Sequence, residues 1–204
     1  MDMERAGATA EASLRDLGIA FLFAANHHPA MARITPIRRR IGRRTIFNLM
    51  GPLANPAGVT RQLIGIARPD YVRLYADALE QLGTEAALVV AGEEGLDELS
   101  GAGPSTAIAV GNVHLSATVT PEDAGLSRHP LSAIRGGDPA HNAAAIRQLL
   151  DGEAGAYRDA VLLNAAAALI VAGTAADLRT GAVRAAEAID SGATATLLDR
   201  WIAY

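Results

Sequence analysis

The chain has 204 residues, half of them hydrophobic, a formal charge of −4 and no cysteine. Length and apolar content support a single core-bearing domain, expected over residues 1–204. The negative balance disfavours bulk nucleic-acid binding, and the absent thiols exclude disulfides, thiolate metal sites and a Cys nucleophile. All 18 basic residues are Arg, which excludes a Schiff-base lysine and a P-loop lysine. No basic-then-apolar leader opens the sequence and no apolar run approaches a membrane span, so a soluble cytoplasmic protein is expected.

In chain order, Ala8 to Leu17 reads as a short helix stopped at Gly18. Gln62 to Ala67 reads as a strand, and the helix after Pro69-Asp70 is expected to bury Tyr71, Tyr75, Ala78, Leu79 and Leu82 before Gly83 ends it. Ala86 to Ala91 is a continuous apolar run bounded by Gly92, the pattern of a strand buried on both faces. Strand, helix, strand implies a parallel crossover. Thr106 to Val110 and Val113 to Val119 alternate around Gly111-Asn112, a hairpin signal. Thr120-Pro121-Glu122-Asp123 is a helix start, with Thr as N-cap and Pro at the first helical position. From Pro139 the chain is Ala-rich and helical, with breaks near Gly152 to Gly155, Gly173 and Gly192. The expected class is α/β: a mostly parallel sheet, a small antiparallel excursion and flanking helices.

Chemistry concentrates in His27 to Pro56, HHPAMARITPIRRRIGRRTIFNLMGPLANP, which gathers two histidines and six arginines. Arg offers a planar, permanently charged fork that grips a carboxylate or phosphate by two hydrogen bonds. Gly51-Pro52 and Asn55-Pro56 mark tight turns that let backbone approach a ligand. At helical pitch Arg40 and Arg44 share one face and Arg39 and Arg43 another, so most of the cluster reads as a solvated surface. Asp97-Glu98 follows the buried strand and falls beyond the C-terminal edge of a parallel pair, where ligands of open α/β sheets gather. Hard oxygen ligands of this kind suit Mg²⁺. Asn142 reads as a helix-entry group, Asn164 as a capping or backbone-bridging amide.

The run HPAM, Arg38 and GRRTIFNLMGPLANP, then GLDELS at 95–100, GGD at 136–138 with Asn142-Ala143, and LLNAAAAL at 162–169 resemble the anthranilate phosphoribosyltransferase family. The likeness runs from about Leu17 to the C-terminus; Ala25 replaces the usual Pro and Met50 the usual Leu. It implies the fold of the nucleoside phosphorylase/phosphoribosyltransferase class. It also implies transfer of phosphoribosyl from phosphoribosyl diphosphate to anthranilate, in tryptophan biosynthesis. By this resemblance Arg38 binds the anthranilate carboxylate, His28 lines the pocket, Gly51 and Pro52 let the ring lie close to backbone, and Asn48 braces that loop. Asp97 and Glu98 hold a Mg²⁺ cofactor against the diphosphate.

The family's GTGGD loop, KHGN motif, Ser-rich turn and small helical domain have no counterpart in these 204 residues. An incomplete catalytic domain, inactive alone, is therefore the expectation. The alternatives are a non-catalytic small-anion binder and a nucleic-acid-binding relative. No metal beyond the acidic pair and no membrane partner is expected. With strands missing, Ala86 to Ala91 is expected to present an unpaired apolar edge, favouring poor solubility or a homo-oligomer.

Overall fold

A computed structural model describes residues 3–22, 34, 37, 40–42, 50–55 and 57–204. These fall into two compact units: residues 1–59 with 196–204, and residues 60–195.

The first unit holds α1 (Met3–Ala8) and α2 (Ala10–Leu17). Gly18 closes α2 in the left-handed region at φ 77°, as its position past the last apolar residue predicts. Buried Ser13 donates through Oγ to the Ile19 carbonyl at 2.6 Å, so its hydroxyl is satisfied. Tyr204 donates its hydroxyl to Asp16 Oδ2 at 2.7 Å, and Arg5 Nη2 donates to the Tyr204 carbonyl at 2.6 Å. Ile34, Ile37, Arg40 and Ile41 are helical, and Gly42 follows at φ 63°.

The second unit carries a four-stranded sheet in the order β1 (Arg61–Gly65), β2 (Ala86–Gly92), β3 (Ser105–Gly111), β4 (Thr118–Val119). β1 and β2 run parallel, joined through α3 (Val72–Gln81); β3 and β4 add the antiparallel excursion. Each residue from Ala86 to Ala91 is at most 1% exposed, so both faces of β2 are covered. α3 packs on β2 and β3, and the helix Ala156–Val171 (α5) on β1 and β2. Burying side chains such as Leu79 and Leu88 stabilises the fold by about 1.5–3 kcal/mol each.

Three expectations need correction. β2 is not an edge: β1 and β3 flank it, and among the described strands the open edges belong to β1 and β4. The buried stripe of α3 is Val72, Tyr75, Ala76 and Leu79, an i, i+3, i+4, i+7 set. Leu82 is 64% exposed because the helix ends at Gln81 and turns it outward, and Tyr71 is only half-buried, its ring lying under the Arg68 guanidinium at 4.6 Å. The hairpin turn is not tight at Gly111-Asn112. Asn112 N donates to the Glu85 carbonyl, which carries the chain out of the ladder until Thr118 pairs with Thr106.

The 3₁₀ turn Pro121–Ala124 has the expected start, a capping box in which Asp123 also accepts from Thr120 N at 2.8 Å. Helices α4 (Pro139–Leu150), α5, α6 (Leu178–Asp190) and α7 (Ala193–Ala203) match the Ala-rich tail, broken where the glycines stand. Asp138 and Asp177 cap α4 and α6 by accepting from His141 N and Thr180 N. α5 and α6 approach closely because Gly181 has no Cβ; one built there would lie 2.8 Å from Ala166 Cα.

Candidate functional site

The acidic pair sits where the sheet topology places a ligand edge. β1 ends at Gly65 opposite Val90, β2 runs on two residues to Gly92, and residues 93–104 form the loop beyond them. Two backbone bonds open it: Gly92 N donates to the Leu96 carbonyl at 2.9 Å, and Glu93 N to the Pro104 carbonyl at 3.2 Å. The fully buried Leu99 side chain anchors it below. Ser100, also buried, donates its hydroxyl to Glu94 Oε1 and its backbone N–H to Ser105 Oγ at 2.8 Å. Ala102 N in turn donates to Ser100 Oγ at 3.0 Å. Neither buried serine side chain is left without a hydrogen-bond partner.

Gly65 fixes the height of the pair above the sheet. A Cβ built on Gly65 would overlap the Asp97 carbonyl, so this strand end must be glycine for the loop to lie against it. On the other side Asn164, in the middle of α5, accepts from Leu99 N at 2.9 Å and donates to Leu99 O at 3.0 Å. Asn164 is thus the bridging amide that its sequence position suggested. Asn142 pairs the same way with Gly137, accepting from its N–H and donating to its carbonyl at 3.1 Å. His129 N donates to the Gly101 carbonyl at 2.9 Å, and His129 Nε2 lies 2.8 Å from Asp159 Oδ2 at the start of α5.

Asp97 and Glu98 themselves are exposed. Burial of part of its surroundings pushes the Glu98 carboxyl above the usual carboxylate range, and the Asp97 charge adds to the push. A bound cation would relieve both effects by neutralising the pair. Among the described residues no group of three or more His, Asp or Glu side chains gathers to hold a metal. Two exposed carboxylates with the remaining positions open fit Mg²⁺, which keeps waters and takes phosphate oxygens in preference to an all-protein cage.

Gly51 opens the 3₁₀ turn Pro52–Ala54 in the first unit at φ −52°, a conformation any residue adopts. Among the described residues nothing lies within 4 Å of a Cβ built there. His28, Arg38 and Asn48, with His27, Arg39, Arg43 and Arg44, lie outside the described residues. Sequence reading missed Gly65, whose close approach to the Asp97 carbonyl is a tertiary contact that leaves no signal in the sequence. It also missed the His129–Asp159 pair, which no spacing announces.

Residues 1–195 match the model of the glycosyl transferase family, a/b domain, and the chain belongs to that family. It is 60% identical over 204 residues to the anthranilate phosphoribosyltransferase of Novosphingobium aromaticivorans and 61% identical over 214 residues to that of Sphingopyxis alaskensis. Each match covers 100% of this chain and 62% of the relative, so the chain spans about six tenths of their length. Among solved structures, the Thermus thermophilus anthranilate phosphoribosyltransferase superposes with a TM-score of 0.88 at 43% identity, covering 95% of this chain and 58% of that one. The Saccharomyces cerevisiae enzyme in complex with PRPP and Mg gives 0.87 at 27% identity, over 96% and 57%. The α/β class expected from the sequence is the fold of these relatives.

Proposed function

We propose that this chain supplies the aromatic-substrate arginine and the metal-binding loop of an anthranilate phosphoribosyltransferase. The observation that carries the reading is the acidic pair, held at the C-terminal edge of the parallel strands by Gly65 and Asn164. The 60% identity to a named anthranilate phosphoribosyltransferase, and a similar yeast structure described with PRPP and Mg, support it.

In this reading Arg38 grips the anthranilate carboxylate with both arms of its guanidinium, fixing the ring so that the amine faces the sugar. His28 packs beside the ring, Asn48 braces the loop, and the Gly51-Pro52 turn lets the ring lie close to backbone. Asp97 and Glu98 hold Mg²⁺, which supplies positive charge for the departing diphosphate. The amine nitrogen forms a bond to the anomeric carbon as the bond to the diphosphate oxygen breaks, and the amine loses its proton after the transition state. The chain contributes orientation and electrostatics, with no side chain acting as a strong base. The same reading makes the protein cytoplasmic. Leu14, Phe21, Ile37, Ile41 and Met50 are exposed apolar side chains of the first unit and support a homo-oligomer.

The test grafts these 204 residues onto the preceding segment of the Novosphingobium relative and follows loss of anthranilate fluorescence with Mg²⁺ and phosphoribosyl diphosphate. Turnover in the graft, absent from the chain alone and abolished by Arg38→Ala, is expected. A folded graft without turnover contradicts the assignment.

A further inference from the structure

We propose that Asn164 is a positioning residue for the cation site, aiming the Asp97–Glu98 carboxylates by a two-point grip on the backbone of Leu99. The proposal rests on the reading of that pair as cation ligands and adds the residue that orients them.

The two peptide planes flanking Glu98 are each fixed by a different neighbour. The plane carrying the Asp97 carbonyl lies against Gly65, where no side chain fits. The plane carrying Leu99 N–H is held by Asn164 Oδ1 at 2.9 Å. The direction of the Glu98 Cα–Cβ bond follows from those two planes. Leu99's side chain is fully buried and fixes where the loop sits, but a buried side chain leaves rotation about its own backbone free. Asn164 removes that rotation by also donating to Leu99 O at 3.0 Å.

The amide is held the right way round by its own helix. Asn164 Nδ2 donates a second bond, to the Ala160 carbonyl at 3.0 Å, so its NH₂ faces two carbonyl oxygens and its oxygen faces an N–H. Asp at this position would turn an oxygen toward both carbonyls, and Ala would leave both Leu99 groups without their partner. The helix is a stable mount: α5 packs on β1, β2 and α6, and α6 is the neighbour it meets through Gly181. A loop that only needed anchoring has Leu99 and Ser100 for that purpose. The amide adds orientation.

The experiment uses the 204-residue chain and Mn²⁺ as the probe, whose unpaired electrons broaden nearby amide resonances. In the wild type, Mn²⁺ broadens the amides of Leu96 to Leu99, and Asp97→Asn with Glu98→Gln removes the effect. Asn164→Ala and the isosteric Asn164→Asp weaken Mn²⁺ binding about tenfold and speed hydrogen exchange at the Leu99 amide. Asn164→Asp preserves packing should the alanine variant fail to fold. Arg158→Gln is the control: Arg158 stands on the same helix as Asn164, and the change breaks its 2.8 Å ion pair to Asp190 of α6, lowering thermal stability without moving either readout. Folded Asn164 variants that bind Mn²⁺ as the wild type does would reduce Asn164 to a structural amide and overturn the proposal. Wild-type broadening that the Asp97 and Glu98 variants leave untouched, or none at all, would instead sink the cation reading and this proposal with it.

Discussion

At the scale of single residues, the acidic loop trades stability for a concentrated negative charge. Glu98 has its carboxyl pushed up by burial and by Asp97, so the folded state binds that proton more tightly than the unfolded chain. The favourable contribution of this group is complete below the ordinary carboxylate value and is lost as pH rises through the raised one. Glu98→Gln removes the loss. Its thermal midpoint should therefore exceed the wild type's at neutral pH, with the gap closing as the solution is acidified; a constant gap across that range contradicts the assigned cause. Gly65→Ala acts in the opposite sense. Its methyl group meets the Asp97 carbonyl, and neither the strand end nor the loop backbone can give cheaply. Overpacking of this kind costs about 1–3 kcal/mol, which urea unfolding should resolve as a lower midpoint at unchanged slope.

At the scale of elements, the contest between propensity and packing is decided at the α5–α6 crossing. Replacing Gly181 by Ala gains about 1 kcal/mol of helix propensity. The added Cβ, however, would stand 2.8 Å from Ala166 Cα, a backbone atom with no rotamer to turn aside. Gly181→Ala should be net destabilising in denaturant melts, and a stabilised variant would mean the two helices slide apart freely. The elements themselves were largely legible. Continuous apolar residues marked β2, and Gly18 and Gly83 marked helix ends at φ 77° and 75°. Thr120 with Asp123 marked the capping box. What misled was phase. Tyr71, Tyr75, Ala78 and Leu82 form a stripe as regular as the true one, and only the sheet decides that α3 turns Val72 and Ala76 inward instead. The hairpin failed for a similar reason, since a hydrogen bond from Asn112 to Glu85, just ahead of β2, draws the chain away from its local turn.

At the scale of the molecule, the proposed site was legible in its carboxylates and illegible in its supports. Asp97-Glu98 could be placed at a sheet edge from a buried strand followed by a loop. Asn164 could be named as a bridge, but not its partner, which stands 65 positions away in sequence. Gly65 carried no signal because a glycine's close neighbour is a tertiary fact. The expectation of an exposed β2 edge erred because β3 pairs antiparallel along its other side, a partner that sequence spacing does not specify. The acidic pair as the Mg²⁺ site of a phosphoribosyl transfer is the claim on which the rest depends. Its most direct test is the Mg²⁺ dependence of turnover in the grafted enzyme, comparing the wild type with Asp97→Asn and Glu98→Gln. The account predicts that both variants raise the Mg²⁺ needed for half-maximal rate about tenfold or more, with the KM for anthranilate unchanged. An unaltered Mg²⁺ requirement, or a loss confined to anthranilate, would contradict it.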